Sequence, residues 1–270
     1  INRWIVGETA KTLKEVNTAF DQFRFNDAAQ ALYSFVWGIV CDWYVELAKP
    51  LLNSADHNVK NETQHTMGWV IDQCLILLHP IMPFITEELW ETLAPRSNML
   101  VHCDWPEFDS SFLDKSADRE MNWVVNLIES IRSARAQMRV PAGLKIPMIY
   151  LDMDSDAKKA WENNHEMIKK LARITELKNA NEIPKGSIAL TAKGATFALP
   201  LEKIIDIDEE KKRLGKSLDK LQKEISALKS RLQNTKFIES APEDVVLETR
   251  ENLSLRVEEQ KKLSAAASQL

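Results

Sequence analysis

The sequence predicts a mainly α-helical protein with an antiparallel helical bundle, a small α+β unit and a C-terminal antiparallel coiled-coil hairpin. Three observations predict this fold class. Apolar residues recur at helical spacing, with short connections, through residues 1–140. Strand-like runs occur only within residues 141–203. A leucine-rich heptad pattern opens residues 204–270. We therefore expect these three ranges to be the domains.

The first two helices of the bundle are predicted over residues 1–23 and 27–49. The first has one apolar face, formed by Ile5, Leu13, Val16, Phe20 and Phe23. Asn26 is predicted to cap the second helix, and Pro50 to end it. The second helix is apolar almost all round, which predicts the centre of the bundle. Trp43 should be a core residue, and Asp42 should need a partner, because an unpaired buried carboxylate is costly.

The rest of the bundle is predicted from the same spacing and from proline positions. A third helix covers residues 62–78. Pro80 and Pro83 break and restart the helical pattern, and Pro83 suits a first turn. Residues 96–117 read as irregular, and a last helix follows over residues 117–138.

The α+β unit is predicted from a change of pattern after residue 140. Residues 145–152 are strand-like and residues 155–173 are helical. Two short apolar runs, 187–191 and 196–201, flank a Lys193–Gly194 turn and predict a β-hairpin.

The last segment carries two apolar seams, each typical of a coiled-coil helix. The first seam consists of Leu214, Leu218, Leu221, Ile225, Leu228 and Leu232, at alternating spacings of four and three. The second is weaker and consists of Val246, Leu253 and Val257. Residues 233–242 interrupt the pattern, so the two helices should form an antiparallel hairpin.

Composition limits the classes of function. The net charge is −5, so a nucleic-acid site must be local. Cys41, Cys74 and Cys103 are too scattered for a disulfide scaffold or a zinc site, and predict reduced, buried thiols in a cytoplasmic protein. No apolar run is long enough to span a bilayer, and no catalytic or nucleotide-binding motif occurs. We expect no catalytic site, metal or cofactor in this chain, and no membrane partner.

The strongest local charge lies between Lys211 and Lys236, a segment that contains nine basic residues and only two acidic ones. One interpretation is a solubilising, salt-bridged coiled coil. The other is a contact with the nucleic-acid backbone, because phosphates attract clustered cations. The cations that lie off the seam and would make this contact are Lys212, Arg213, Lys216, Lys220 and Lys223.

Two further groups are candidate binding sites. Arg132, Arg135 and Arg139 share one helix face at spacings of three and four, either pairing with acids or contacting phosphate. The second group should gather at one end of the bundle, because the first two helices are antiparallel. It consists of Arg3, Trp4, Tyr44, Glu46 and Lys49. This group is either a salt-bridged helix end or an exposed platform for unstacked bases.

Three stretches carry a resemblance to a known family. RFNDAAQALYSFVWGIVCDWYVELAKP, followed by LLHPIMPFITEELWE, resembles the anticodon-binding helical domain of class I aminoacyl-tRNA synthetases for aliphatic amino acids. IRSARAQMRVPAG resembles the linker into that family's α+β unit. IIDIDEEKKRLGKSLDKLQKEISALKSRLQNTKFIESAPEDVV resembles the tRNA-binding arm of its valine-specific branch. The resemblance covers essentially the whole chain.

The resemblance implies a role for each part. The bundle would receive the anticodon loop of valine tRNA, and the arm would touch the tRNA elbow. The full-length ligase would use ATP and Mg²⁺, and an editing domain would remove misloaded threonine. The chain would be the C-terminal part of such an enzyme, with the first bundle helix and the catalytic and editing domains upstream in the same polypeptide. We expect a monomer that does not bind DNA. The alternative function is a non-enzymatic coiled-coil protein that self-associates.

Overall fold

The computed structural model describes residues 1–202, 204, 207–234, 237 and 242–269. The described residues are mostly helical, with one small four-stranded mixed sheet. Their contacts divide the chain into two compact units, Ile1–Val125 and Asn126–Leu270. Among the helices described, none is long and apolar enough to cross a membrane.

The elements up to residue 137 are helical. They are α1 (Asn2–Asp21), α2 (Phe25–Tyr33), a π-helix (Ser34–Tyr44), α3 (Val45–Leu52), α4 (His57–Leu78), α5 (Pro83–Leu93), 3₁₀ turns at Leu100–His102 and Ser110–Phe112, and α6 (Lys115–Gln137). Pro83 occupies the first turn of α5, as predicted.

One core cluster of the first unit is formed where α1, α2 and α4 meet. Its buried residues are Leu13, Val16, Ala19, Ala28, Ala31, Leu32 and Leu77. Three of the seven are alanines, whose small side chains allow helix backbones to approach closely. The predicted inward face of α1 is confirmed for Ile5, Leu13 and Val16, whereas Phe23 is 80% exposed. Phe23 lies beyond the end of α1 with φ 56°, so its side chain leaves the helix face.

The second predicted helix differs most from the expectation, because its middle is a π-helix. The buried residues Phe35 and Val40 are five positions apart, as the wider π turn requires. The prediction of an apolar helix at the bundle centre is therefore wrong for one side: Trp37 is 60% exposed. Asp42 is also exposed and needs no buried partner, and Trp43 is only half-buried.

Several helix ends also differ from their predictions. The chain turns through Arg24, and α2 already begins at Phe25, so Asn26 lies inside the helix and does not cap it. Pro50 lies within α3, which continues to Leu52. Helix α4 begins at His57, earlier than expected, because the Asp56 side chain accepts a hydrogen bond from the Asn58 N–H at 2.8 Å.

The three thiols have different surroundings, so the prediction of buried thiols is confirmed for Cys74 and wrong for Cys41. Cys41 is exposed, Cys103 is half-buried and Cys74 is buried. Burial, and then the neighbouring Cys41, raises the pKa of Cys74 to about 12.

The second unit contains the sheet. The elements from residue 146 to residue 200 are β1 (Ile146–Met153), α7 (Ser155–Ala172), β2 (Ile174–Asn179), β3 (Ser187–Ala192) and β4 (Ala195–Pro200). The strand order in the sheet is β2-β1-β4-β3. β1 pairs with β2 in parallel, and the other two pairings are antiparallel. The predicted hairpin is confirmed, and Gly194 adopts φ 75° in its two-residue turn. Strand β2 was not predicted, because only Ile174 of this edge strand is buried.

Two long helices complete the described chain, α8 (Ile207–Gln233) and α9 (Glu243–Gln269). They contact one another through the Gln222 and Gln260 side chains and through an ion pair between Glu224 and Arg256 at 3.3 Å. Leu214, Leu221 and Ile225 of the first predicted seam are buried. Within the predicted connection at residues 233–242, residues 235, 236 and 238–241 lie outside the described residues.

Candidate nucleic-acid interface

The aromatic residues at the predicted end of the bundle are buried. Tyr44 has no exposed surface and Trp4 is 3% exposed. The Tyr44 hydroxyl donates to Asn2 Oδ1 at 3.5 Å, so this end of the π-helix meets the start of α1 as the antiparallel pairing predicts. Burial, and then Glu62, raises the pKa of Tyr44. The prediction of an exposed aromatic platform is therefore wrong for Trp4 and Tyr44, which are packing residues.

Arg3 is an exposed cation at this end. Its side chain is 81% exposed, and its Nη1 donates to Asp114 Oδ2 at 2.9 Å. The other oxygen of Asp114 accepts from the N–H groups of Ser116 and Ala117, both at 2.9 Å, in the first turn of α6. Hydrogen bonding by the Ala117 N–H is the main cause that lowers the pKa of Asp114. Arg3 is thus held by a helix cap while most of its surface stays accessible.

Glu46 and Lys49 form an ion pair with each other within α3. Both side chains are roughly half exposed. Within residues 1–202, all of which are described, no hydrogen bond or ion pair joins either residue to Arg3. For this pair the structure agrees with the interpretation of a salt-bridged helix end.

A shallow groove of about 700 Å³ surrounds Arg3. Lys115, at the start of α6, lines the same groove and is exposed. Lys115 was not predicted as a site residue, because nothing in its spacing connects it to Arg3. The one available signal was Asp114, whose position before a predicted helix suits an N-cap that a distant cation can pair with.

A second and broader groove of the first unit has the wrong charge for RNA. It encloses about 1260 Å³ between α1, α2 and residues 106–113. Its charged lining consists of Glu8, Glu15, Asp21, Asp27, Glu107 and Asp109 against Lys11, Lys14 and Arg24. This excess of acids repels phosphate, so we do not assign the groove to a nucleic acid.

The three arginines of the α6 face have three different environments. Arg135 is 6% exposed, and its guanidinium donates to the carbonyls of Pro141, Leu144 and Arg173 at 3.1, 2.7 and 3.4 Å. Burial, and then Arg173, lowers the pKa of Arg135. Both predicted roles are therefore wrong for Arg135, which binds backbone carbonyls. Arg132 is exposed and donates to the Leu171 carbonyl at 3.1 Å, and Arg139 is exposed beyond the end of α6.

The predicted cations of the last segment are exposed on α8, with one exception. Lys212, Lys216, Lys220 and Lys223 are exposed. Arg213 is half-buried, and its Nη2 donates to the Gln137 carbonyl at 2.7 Å, so it does not reach outward as predicted. Lys220 lies 3.9 Å from Glu224 and its side chain stays 80% exposed. Across the described ranges, no cluster of side chains suits a metal ion.

The bundle defines the class of protein. A family model described as the anticodon-binding domain of tRNA ligase matches residues 2–150. The chain therefore belongs to the family of anticodon-binding domains of tRNA ligases. A second model, described as the valyl tRNA synthetase tRNA binding arm, matches residues 206–270.

The relatives identify the particular ligase that the chain is similar to. Over its full length it is 58% identical to the valine–tRNA ligase of Ruegeria pomeroyi, 53% to that of Cereibacter sphaeroides strain ATCC 17029 and 41% to that of Zymomonas mobilis. The chain spans 27%, 27% and 31% of the length of these relatives.

Proposed function

We propose that this chain is the tRNA-binding part of a valine–tRNA ligase. The observation that carries the proposal is similarity along the whole of this chain to valine–tRNA ligases, one of them 58% identical, together with the match of residues 206–270 to a tRNA-binding arm. Attachment of valine to its tRNA, with ATP and Mg²⁺, is the work of the remainder of the ligase. The residues of this chain bind and orient the tRNA. We place the ligase in the cytoplasm, as a monomer that engages neither DNA nor a membrane.

The bundle end that holds Arg3 is proposed to meet the anticodon loop. Two observations support this position: Arg3 is 81% exposed, and Lys115 lines the same groove. A guanidinium can stack on a base and also bridge phosphates, whereas an ammonium acts as a point charge. Glu46 and Lys49 flank this end as a mutually neutralised pair, and Trp4 and Tyr44 support it from inside.

Residues 204–270 are proposed to be a coiled-coil arm and residues 141–203 a separate α+β unit. Support for the arm comes from burial of Leu214, Leu221 and Ile225 on α8 and of Val246 and Thr249 on α9. Because packing uses this seam, the exposed lysines of α8 are left to contact the tRNA backbone.

Direct binding tests the proposed function. The 270-residue chain is titrated with valine tRNA and with a non-cognate tRNA at several salt concentrations. We expect measurable binding to both, because backbone contacts carry no sequence information, and tighter binding to valine tRNA, because the anticodon is read at the bundle.

Two other outcomes would reject the proposal. Equal affinity for both tRNAs at every salt concentration would contradict anticodon recognition by this chain. Absence of binding, combined with concentration-dependent dimer formation in sedimentation equilibrium, would favour a coiled-coil protein that self-associates.

A further inference from the structure

A small groove in the second unit brings together cations from distant parts of the sequence. It encloses about 380 Å³ and lies where the end of α6 meets α8 and α9. Its charged lining consists of Arg139, Arg213, Lys220 and Arg256, against Glu224 and Glu259. We call it the arm-root groove.

Both acids of the arm-root groove are paired with cations that also line it. Arg256 lies 3.3 Å from Glu224 and 2.7 Å from Glu259, so one guanidinium serves both carboxylates. Lys220 adds a long contact of 3.9 Å to Glu224. With four cations against two acids, the groove keeps a net positive charge, which favours an anionic ligand.

Arg139 is the cation with capacity for a ligand. Among the described residues its guanidinium has no hydrogen bond, ion pair or ring contact, and the side chain is exposed. Arg213, by contrast, donates to the Gln137 carbonyl and so offsets the partial negative charge at the end of α6. A phosphate in the groove would thus meet an available guanidinium beside a helix end whose charge is already compensated.

The backbone at Arg139 is one that favours glycine. Arg139 has φ 50°, and the following Val140 N–H donates to the Arg135 carbonyl at 2.9 Å, which is the hydrogen bond of a Schellman helix end. An L-residue in this left-handed conformation is less stable than glycine would be. Because the sequence has arginine at this position, the folded chain is less stable than it would be with glycine.

We propose that the arm-root groove binds a phosphodiester group of the RNA backbone, with Arg139 as the principal contact and Lys220 as a second cation. The inference rests on the proposed function, because it assumes that the ligand is tRNA. It adds a contact site at the base of the arm that neither the α6 face nor the α8 lysines alone would form. The contact reads backbone charge and shape, so it should not depend on which tRNA is bound.

The variant Arg139→Gly distinguishes an effect on tRNA binding from an effect on folding, because tRNA affinity should fall while the melting temperature rises. Loss of a charge-assisted hydrogen bond should weaken binding of valine tRNA by on the order of tenfold at low salt. The slope of log K against log salt should become less steep by about 0.7 to 0.9, the value for one phosphate. Relief of the left-handed backbone should raise the melting temperature by about 2–4 °C.

Arg173→Gly is the matched control. Arg173 ends α7 with φ 58°, is exposed, and does not line the arm-root groove. Its replacement removes the same charge and relieves the same conformation, so the melting temperature should rise while tRNA affinity changes less than about twofold. If Arg139→Gly and Arg173→Gly bind valine tRNA with the same affinity, the groove is not a phosphate site. The same conclusion follows if Arg139→Gly leaves the slope of log K against log salt unchanged. Failure of the parent chain to bind any tRNA would instead reject the proposed function.

Discussion

Arg135, Arg3 and Arg139 show how the surroundings of an arginine decide what it can bind. Arg135 is buried and donates to three backbone carbonyls, so its charge supports the fold. Arg3 shares Asp114 with a helix cap but remains 81% exposed. Arg139 has neither burial nor a partner among the described residues. Accessible guanidinium surface, more than the number of arginines on a face, therefore selects the candidates for RNA contact.

Arg3→Ala and Asp114→Asn should affect tRNA binding differently. If Arg3 contacts the anticodon loop, Arg3→Ala should weaken binding of valine tRNA by about five- to tenfold. Asp114→Asn keeps a good helix cap and removes the charge that competes for Arg3, so affinity should stay the same or increase. Binding of valine tRNA by fluorescence anisotropy measures both effects, and thermal melting checks that each variant is folded.

A purely structural Arg3 would give another pattern. Both substitutions break the same 2.9 Å ion pair, so they would then lower the melting temperature together and leave tRNA affinity at the parent value. That result would move the anticodon contact away from this end of the bundle.

For single residues, the sequence predicted the element on which a side chain lies better than it predicted how buried that side chain is. Arg132 and Arg135 both lie on α6, as helical spacing predicted. The helix ends at Gln137, however, and Arg139 itself adopts a left-handed backbone with φ 50°, so it leaves that face. The burial of Trp4 and Tyr44 was equally out of reach, because it depends on which side of α1 and the π-helix meets its neighbours.

Among the elements, the β3–β4 hairpin and α7 are coupled where Asp154 meets Gly194, and the Asp154 N–H donates to the Gly194 carbonyl at 2.8 Å. The Asp154 carboxylate caps α7 by accepting from the Ala157 N–H at 2.8 Å. It also occupies the space beside Gly194 in the hairpin turn, where a Cβ would lie 2.0 Å from Asp154 Oδ2. The turn therefore requires glycine for two reasons, its φ of 75° and the presence of the capping carboxylate.

Gly194→Ala should destabilise the chain, and Gly68→Ala should stabilise it. The first substitution strains a left-handed residue and displaces a helix cap, so we expect a loss of about 2–3 kcal/mol in the free energy of unfolding. Gly68 lies inside α4, and apart from its chain neighbours and the backbone of its own helix no atom lies within 4 Å of an added Cβ, so alanine there should gain about 0.5–1 kcal/mol. Urea unfolding followed by circular dichroism measures both. A loss at Gly194 no larger than about 0.5 kcal/mol would contradict the described turn.

Most helices were predictable because apolar spacing, proline positions and the heptad pattern are local signals. The π-helix was not, since its wider turn becomes visible only when Phe35 and Val40 are seen to share the buried side. Strand β2 was missed for a related reason: its pairing partner β1 precedes it by a whole helix, and the segment itself has little apolar character.

For the molecule as a whole, the distribution of charge matters more than its total. The chain has a net charge of −5, yet the segment from Lys211 to Lys236 carries nine cations against two acids. Lys216 and Lys223 are exposed, and neither has an ion pair or hydrogen bond among the described residues. They are seven positions apart and so share one side of α8, away from the buried seam. An acidic protein can bind RNA through such a local surface.

The salt dependence of valine tRNA binding, measured for the parent chain and for the double variant Lys216→Glu/Lys223→Glu, tests most directly whether the arm contacts tRNA. If the arm neutralises two to four phosphates, the parent slope of log K against log salt should be roughly −1.5 to −3.5. The double variant should bind about 1–3 kcal/mol more weakly with a flatter slope, and a Lys159→Glu/Lys170→Glu control on α7, with the same change in net charge, should stay close to the parent. Parent-like affinity and slope in the double variant would contradict the central claim that this chain holds tRNA through its arm.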